Sequence, residues 1–336
     1  MTSNRQWILA ARPADAQASA LKLESAPTPV PGEGELLVRN IFLSIDPTHR
    51  LWMSDVDQYM APVEVGEVMR GLTIGVVETS RSSDMAPGTL VAGHGGWQDR
   101  FVTEPGRLTR LTPRAGLPLA SFLGPLGGIG ATAYFGVFDV AQVRPGDTFV
   151  ISAAAGAGGS LAGQMAKLMG CRVVGIVGSR EKADWIRNEL GFDAAVIHKE
   201  PDLVGQLEAA CPDGIDVYFD NVGGDILDAA LTLANYRARF VICGLISTYE
   251  NIKEAQGPRM FRNILMKSIT VRGYIVSDFL ERWPEAYDAI GHWLAKGLLA
   301  CRFDIRDGLE SAPDALSDLF TGGNSGKLIV RVSPEP

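Results

Sequence analysis

The alternation of apolar and polar positions changes character twice along the chain. Residues 1 to about 120 hold short apolar runs, at 35–38, 72–77 and 89–91, broken by proline and glycine. Pro27, Pro29, Pro31, Gly32 and Gly34 make an early loop, and Ala86-Pro87-Gly88 a tight turn. This spacing predicts a small, irregular β-barrel domain. Within it, 44–71 has few strand signals but carries Trp52, Met53, Tyr59, Met60 and Met69. Such a loop either lines an apolar substrate cleft or covers the barrel.

From 121 to 298 strands and helices alternate. Strands are predicted at 148–152, 172–177, 194–197, 216–219, 240–243 and 269–276. Helices fall between them, near 181–190, 203–210 and 226–234, and a long one over 278–298. Six strands with intervening helices predict an α/β domain built on one doubly wound sheet. From 299 to 336 β character returns: a turn at 322–327 feeds a strand at 328–332, which completes the first domain.

The densest chemistry lies in 147–182, where strand, Gly-rich turn, helix and strand follow one another. The first strand runs into Ala154-Ala155-Gly156-Ala157-Gly158-Gly159. Read as A-x-G-x-x-G, this is a dinucleotide fingerprint with Ala in place of the first Gly. Gly156 lets a pyrophosphate approach the backbone, and Gly159 lets the helix pack closely on the strand. The helix N-terminus then offers N–H groups and partial positive charge to the phosphates. The second strand ends in Gly178-Ser179-Arg180-Glu181-Lys182, with no acid at the strand end to hold a ribose 2′-hydroxyl. A small hydroxyl and two cations suit a 2′-phosphate. The turn therefore reads as a site for NADP(H) rather than NAD(H).

Composition narrows the classes further. The chain is 46% hydrophobic and 21% charged, ordinary for a globular protein. A net charge of −8 argues against a nucleic-acid or anionic-membrane partner. No apolar run reaches the roughly 18 residues of a membrane span. The N-terminal residues do not read as a signal peptide. Cys171, Cys211, Cys243 and Cys301 are too dispersed for a disulfide framework or a clustered zinc site, which points to a reducing cytoplasm.

Several segments together carry a family resemblance: Ser44-Ile45-Asp46-Pro47, 132–136, 153–159, 218–224, 243–249 and 323–327. On them the whole chain resembles the zinc-independent medium-chain dehydrogenase/reductases. It is most similar to the branch of leukotriene B4 dehydrogenase/prostaglandin reductase, curcumin reductase and plant double-bond reductases. The resemblance implies a GroES-like barrel plus a Rossmann domain, usually as a homodimer. It implies NADPH-dependent reduction of a carbon–carbon double bond conjugated to a carbonyl. By the same resemblance, Ala157, Gly158, Gly159 and Ser160 contact the pyrophosphate, and Lys182 and Ser179 hold the 2′-phosphate. His198 stands where relatives often carry Tyr, and an imidazole can serve the same phosphate. Asn221, Cys243, Gly244, Leu245, Ser247, Thr248, Tyr249, Tyr274, Ile275, Val276 and Asn324 surround the riboses and nicotinamide.

Zinc-dependent relatives carry a Gly-His-Glu motif where this chain reads Gly66-Glu67-Val68-Met69, and His94 has no nearby Cys or acid in sequence. No metal is expected, which disfavours an alcohol dehydrogenase. Tyr249 is the family-matched candidate to stabilise the substrate enolate or relay a proton. Its other reading is a ribose contact. On the substrate side, Thr48 replaces a Tyr of several relatives, Tyr59 is placed to replace the lost aromatic contact, and Gly127-Gly128-Ile129-Gly130 departs from the usual loop. The expected partner is a small α,β-unsaturated carbonyl compound. A quinone reductase and a non-catalytic NADPH-binding protein use the same cofactor motifs. Tyr249 and Asn221, which furnish the nicotinamide end, favour an enzyme.

Overall fold

The computed structural model describes residues 3–13, 20–250 and 252–336. Met1 and Thr2, the start of the stretch read against a leader peptide, lie outside these. The chain divides into two compact units, Met1–Leu123 with Phe303–Pro336, and Gly124–Arg302.

The first unit is built on strands. β1 (Ser3–Leu9) and β2 (Leu21–Pro27) pair as an antiparallel ribbon. β3 (Leu36–Ser44) is buried along almost its whole length, and a five-residue helix α1 (Thr48–Trp52) follows it. β4 (Thr73–Ser80), β5 (Leu90–Gly93), β6 (Arg100–Thr103) and β7 (Thr109–Arg110) continue the sheet.

In the second unit, α2 (Gly128–Phe135) leads to β8 (Thr148–Ile151), α3 (Ala157–Leu168) and β9 (Arg172–Val177). Next come α4 (Arg180–Asn188), β10 (Ala194–Ile197), α5 (Leu203–Ala210) and β11 (Ile215–Asp220). α6 (Gly224–Leu233), β12 (Ala234–Ile242), α7 (Arg262–Met266), β13 (Thr270–Gly273) and α8 (Trp283–Ala295) complete it. The tail returns to the first unit as β14 (Phe303–Asp307), α9 (Ala312–Thr321) and β15 (Lys327–Arg331). There the strand order is β14-β15-β3-β4-β5-β7, with β6 on β3, and Ile329 of β15 stands opposite Ser44.

The six strands of the second unit run parallel in the order β10-β9-β8-β11-β12-β13. That is the 3-2-1-4-5-6 order of a doubly wound sheet, with its switch point between β8 and β11. Helices on both faces explain the continuous apolar runs: Val173, Val174, Ile176 and Val177 are all buried.

Several elements differ from their sequence reading. α2 is absent from it, because Gly130, Ala131, Ala133 and Phe135 are all buried and leave no polar stripe to reveal a helix. The helix expected over 278–298 is a tight turn at Val276–Arg282 followed by α8, with Pro284 in the first turn of α8. Proline fits there because that N–H has no partner within the helix. The strand expected at 269–276 pairs only over β13. α9 interrupts a tail read as β.

One buried group of the first unit stands out chemically. Lys327 is 1% exposed; its ammonium donates to Ile45 O and Asp46 Oδ1, both at 2.9 Å. Burial opposes ionisation of Asp46. Lys327, ahead of His49 and the Ser44 hydroxyl, outweighs it and holds the carboxyl below its usual range. His49 is fully buried between Trp52 and Trp97, with ring centroids at 5.1 and 5.4 Å. Neither ring nitrogen has a partner among the described residues. Burial, with Lys327 and His94 working against Asp46, pushes its pKa down to about 4. An unfolded histidine protonates below its usual pKa while the folded one stays neutral, so stability is full above that pKa and falls as acid is added. Between pH 6.5 and about 4 the loss approaches 3 kcal/mol. Melting of His49→Leu across this range is expected to lose that part of the acid slope; a slope equal to wild type contradicts it.

Candidate functional site

The residues expected to hold the cofactor, Asn324 apart, lie at or near the C-terminal ends of the parallel strands. β8 leads through Ser152 and Ala153 to Gly156, which caps α3 without a side chain. Two glycines here do different work. A methyl group on Gly159 would lie 2.3 Å from the Ala153 carbonyl oxygen, so only glycine lets α3 start so close to the strand. One on Gly158 would meet nothing within 4 Å. The open side belongs to the helix start, where N–H groups and dipole favour an anion. The turn therefore fits a pyrophosphate.

β9 ends at Gly178. Ser179 caps α4, its Oγ accepting from Lys182 N at 3.4 Å. Arg180, one of the two cations read from sequence for the phosphate, pairs with Glu200 at 3.3 Å. At the strand end, beside Gly178, stand His198 and a residue the sequence reading missed, Lys199, and the charge of Lys182 acts on the His198 ring. Lys199 was visible as the second cation at the end of β10, but only the parallel pairing of β10 with β9 gives it meaning.

The switch point is held by a buried network. Ser152 Oγ donates to Asp220 Oδ1 at 3.0 Å and accepts from Asn221 N at 2.8 Å. Asn221 Nδ2 donates to Ser152 O at 2.8 Å. Asp220 Oδ1 also accepts from Tyr218 OH and from the N–H groups of Val222 and Gly223, each at 2.9 Å. Burial raises the Asp220 pKa, against the pull of those donors. Sequence reading passed over Asp220 and Ser152; the signal was an acid closing the run Val217-Tyr218-Phe219 at the strand end.

The loop after β12 folds back on this turn. Cys243 N and Gly244 N donate to Asp220 O at 2.9 and 3.0 Å, Ile246 N to Asn221 O at 3.2 Å, and Ser247 N to Val222 O at 3.1 Å. Thr248 Oγ1 bonds to Leu245 O at 2.8 Å. The Tyr249 hydroxyl accepts from Leu245 N at 3.3 Å, and a methyl group on Gly244 would stand 3.4 Å from both that hydroxyl and Asn221 O. Tyr249 and Asn221 are thus neighbours across one glycine. Tyr274 OH donates to Thr132 O at 2.6 Å and lies 3.5 Å from Cys243 Sγ. Burial pushes the Cys243 thiol up to about 11, so it stays protonated near neutrality. Ile275 and Val276 follow β13, with Ile275 partly exposed.

The remaining predicted residues belong to the first unit. Thr48 opens α1, and the half-exposed Tyr59 interacts with Trp52 and Thr48, while partial burial raises its hydroxyl pKa. Asn324 is buried in the turn before β15, its Nδ2 donating to Gly326 O at 3.1 Å. Among the described residues no three of His, Cys, Asp and Glu group to hold a metal, and no helix is long and apolar enough to cross a membrane.

A family model described as the N-terminal domain of oxidoreductase matches residues 5–111, and one described as zinc-binding dehydrogenase matches 158–292. The chain is 40% identical to the NADPH-dependent curcumin reductase of Escherichia coli, over 98% of this chain and 97% of that one. It is 37% identical to the 2-alkenal reductase (NADP(+)-dependent) of Nicotiana tabacum, over 90% and 89%. A crystal structure of CurA from Vibrio vulnificus in complex with NADPH superposes with a TM-score of 0.93 at 40% identity, over 98% of this chain and 100% of that one. The chain belongs to the zinc-independent medium-chain dehydrogenase/reductases. Within this family it is an NADP(H)-dependent oxidoreductase.

The two glycines give a paired expectation. Gly159→Ala should lower the melting temperature, since backbone must move, at a cost of about 1–3 kcal/mol. Gly158→Ala should leave melting unchanged or slightly raised yet weaken NADPH at least about tenfold by occupying the pyrophosphate side. Wild-type NADPH affinity in Gly158→Ala, by fluorescence titration, contradicts the assignment.

Proposed function

We propose that this protein reduces the carbon–carbon double bond of α,β-unsaturated aldehydes and ketones with NADPH. The observation that carries this reading is the 40% identity, across 98% of the chain, to an NADPH-dependent reductase. The tobacco relative's name specifies the acceptor class: a 2-alkenal is a double bond conjugated to a carbonyl.

Each residue then has a task. Ala157, Gly158, Gly159 and Ser160 hold the pyrophosphate, and Ser179, Lys182 and His198 the 2′-phosphate. Asn221, Cys243, Gly244, Leu245, Ser247, Thr248, Tyr274, Ile275, Val276 and Asn324 hold the riboses and nicotinamide. Bound NADPH supplies the hydride that adds to the β-carbon of the acceptor. Tyr249 donates a hydrogen bond to the carbonyl oxygen as negative charge develops there, a contact worth about 2–4 kcal/mol in such sites. The α-carbon takes its proton from solvent or through Tyr249. Thr48 and Tyr59 of the first unit contact the acceptor. Free thiols at all four cysteines fit a reducing cytoplasm.

The protein acts as a homodimer. β13 closes one end of the six-stranded sheet, and all four of its residues are exposed. Beside it, Phe261 is 66% exposed, Leu265 74% and Tyr236 66%. An apolar, open sheet edge of this kind suits a second copy of the same strand. Light scattering is expected to give the mass of two chains, and Leu265→Asp with Val271→Lys to give one. A monomeric wild type contradicts the dimer.

Depletion of NADPH absorbance is expected with enals and enones, and far less with NADH. Tyr249→Phe should lower kcat at least about tenfold with NADPH affinity unchanged; an unchanged kcat removes Tyr249 from the chemistry. Turnover of quinones alone, or NADPH binding with no turnover of any acceptor, contradicts the enone assignment.

A further inference from the structure

The end of β10 carries chemistry that the family pattern does not supply. β10 runs parallel to β9 with Ile197 opposite Val177, and His198 N donates to Val177 O at 3.0 Å. Residue 198 is therefore level with Gly178. A methyl group on Gly178 would stand 3.4 Å from His198 Nε2, 3.6 Å from Lys199 Cε and 4.0 Å from Lys199 Nζ. Imidazole and ammonium converge on one piece of backbone, next to the Ser179 cap. Lys182 adds its charge from the first turn of α4.

The charges that face the ring are all positive. Partial desolvation first, then Lys199 and Lys182, hold the exposed imidazole below its ordinary pKa. Glu200, the nearest acid in sequence, pairs with Arg180. Near neutral pH the free protein thus presents two ammonium groups and a neutral ring. A phosphomonoester brings about −1.5 to −2 charges at pH 7, which reverses the field at the ring.

We propose that His198 and Lys199 are specificity residues for the 2′-phosphate of the cofactor, and that His198 takes up one proton from solvent as that phosphate binds. The proposal rests on the assignment of the 179–182 turn to the phosphate. It goes beyond a static contact: a tyrosine hydroxyl at this place would bond the phosphate without changing charge, whereas the imidazole becomes a third cation only when the phosphate arrives. Protonation favours binding, so NADPH affinity rises as pH falls from the ring pKa of the complex toward that of the free protein. Each unit by which the phosphate raises the ring pKa is tenfold in affinity on the acid side. NADH, which lacks the phosphate, has no such dependence.

Titration calorimetry of the full chain near neutral pH, in buffers of different ionisation enthalpy, reads the proton directly. Wild type is expected to take up protons with NADPH and none with NADH. Its NADPH dissociation constant should weaken about tenfold between about pH 6 and pH 8. His198→Tyr and His198→Gln should abolish the uptake and flatten the pH profile. The comparison with wild type cancels protons exchanged by the phosphate itself, whose second pKa is near 6. Lys199→Ala should weaken NADPH about tenfold while NADH affinity and melting temperature stay at wild-type values. Uptake that persists in both His198 variants, or is absent from wild type, overturns the proposal. If Lys182→Ala leaves NADPH affinity unchanged, the phosphate assignment has failed. If Lys182→Ala weakens NADPH while the His198 variants match wild type, only the role of His198 has failed.

Discussion

The hydrogen bonds that join Ser152 to Asp220 and Asn221 are the constraint on which the cofactor half depends. They bridge β8 and β11, the pair where the strand order reverses and the outgoing loops diverge. Divergent loops leave a crevice, and a crevice whose walls move cannot orient a dinucleotide. Here one carboxylate oxygen gathers four donors, and the Asp220 carbonyl takes two more from Cys243 and Gly244. The turn after β8, the turn after β11 and the loop after β12 are fixed to each other through it. Such a network suits a position that must be rigid, because a buried polar group left without its partner costs about 1–3 kcal/mol.

The chemistry rests on that frame in two parts. In the proposed reading, binding comes from backbone and cations at the strand ends: the first turn of α3 for the pyrophosphate, and Lys182, Lys199 and His198 for the 2′-phosphate. Orientation comes from the folded-back loop that sets Tyr249 beside Asn221. Little of this requires an unusual side chain, and buried Cys243 stays an inert thiol. The first unit has its own buried frame, in which Lys327 ties the strand β15 to the turn that begins α1. Thr48 and Asn324 sit at the two ends of that tie.

Much of this was legible in the sequence because it is local and periodic. The glycine turn, the apolar parallel strands and the acid-free end of β9 each show within a few residues, and the family segments added the pairing of a GroES-like barrel with a Rossmann domain. What the sequence hid depends on neighbours distant along the chain. α2 is apolar and small-residue rich, with no polar stripe to mark it. Lys199 comes level with the end of β9 only when β10 is laid against it. His49 reads as one more polar residue after a proline until its ring is seen enclosed by Trp52 and Trp97.

The central claim is that a hydride passes from the cofactor to the β-carbon of a conjugated carbonyl compound. NADPH deuterated at the transferred position of nicotinamide C4, turned over with an enone in ordinary water, tests it most directly. The account predicts a saturated carbonyl product with one deuterium on the β-carbon and ordinary hydrogen on the α-carbon, by NMR. Deuterium on the carbonyl carbon of an unsaturated alcohol would contradict it.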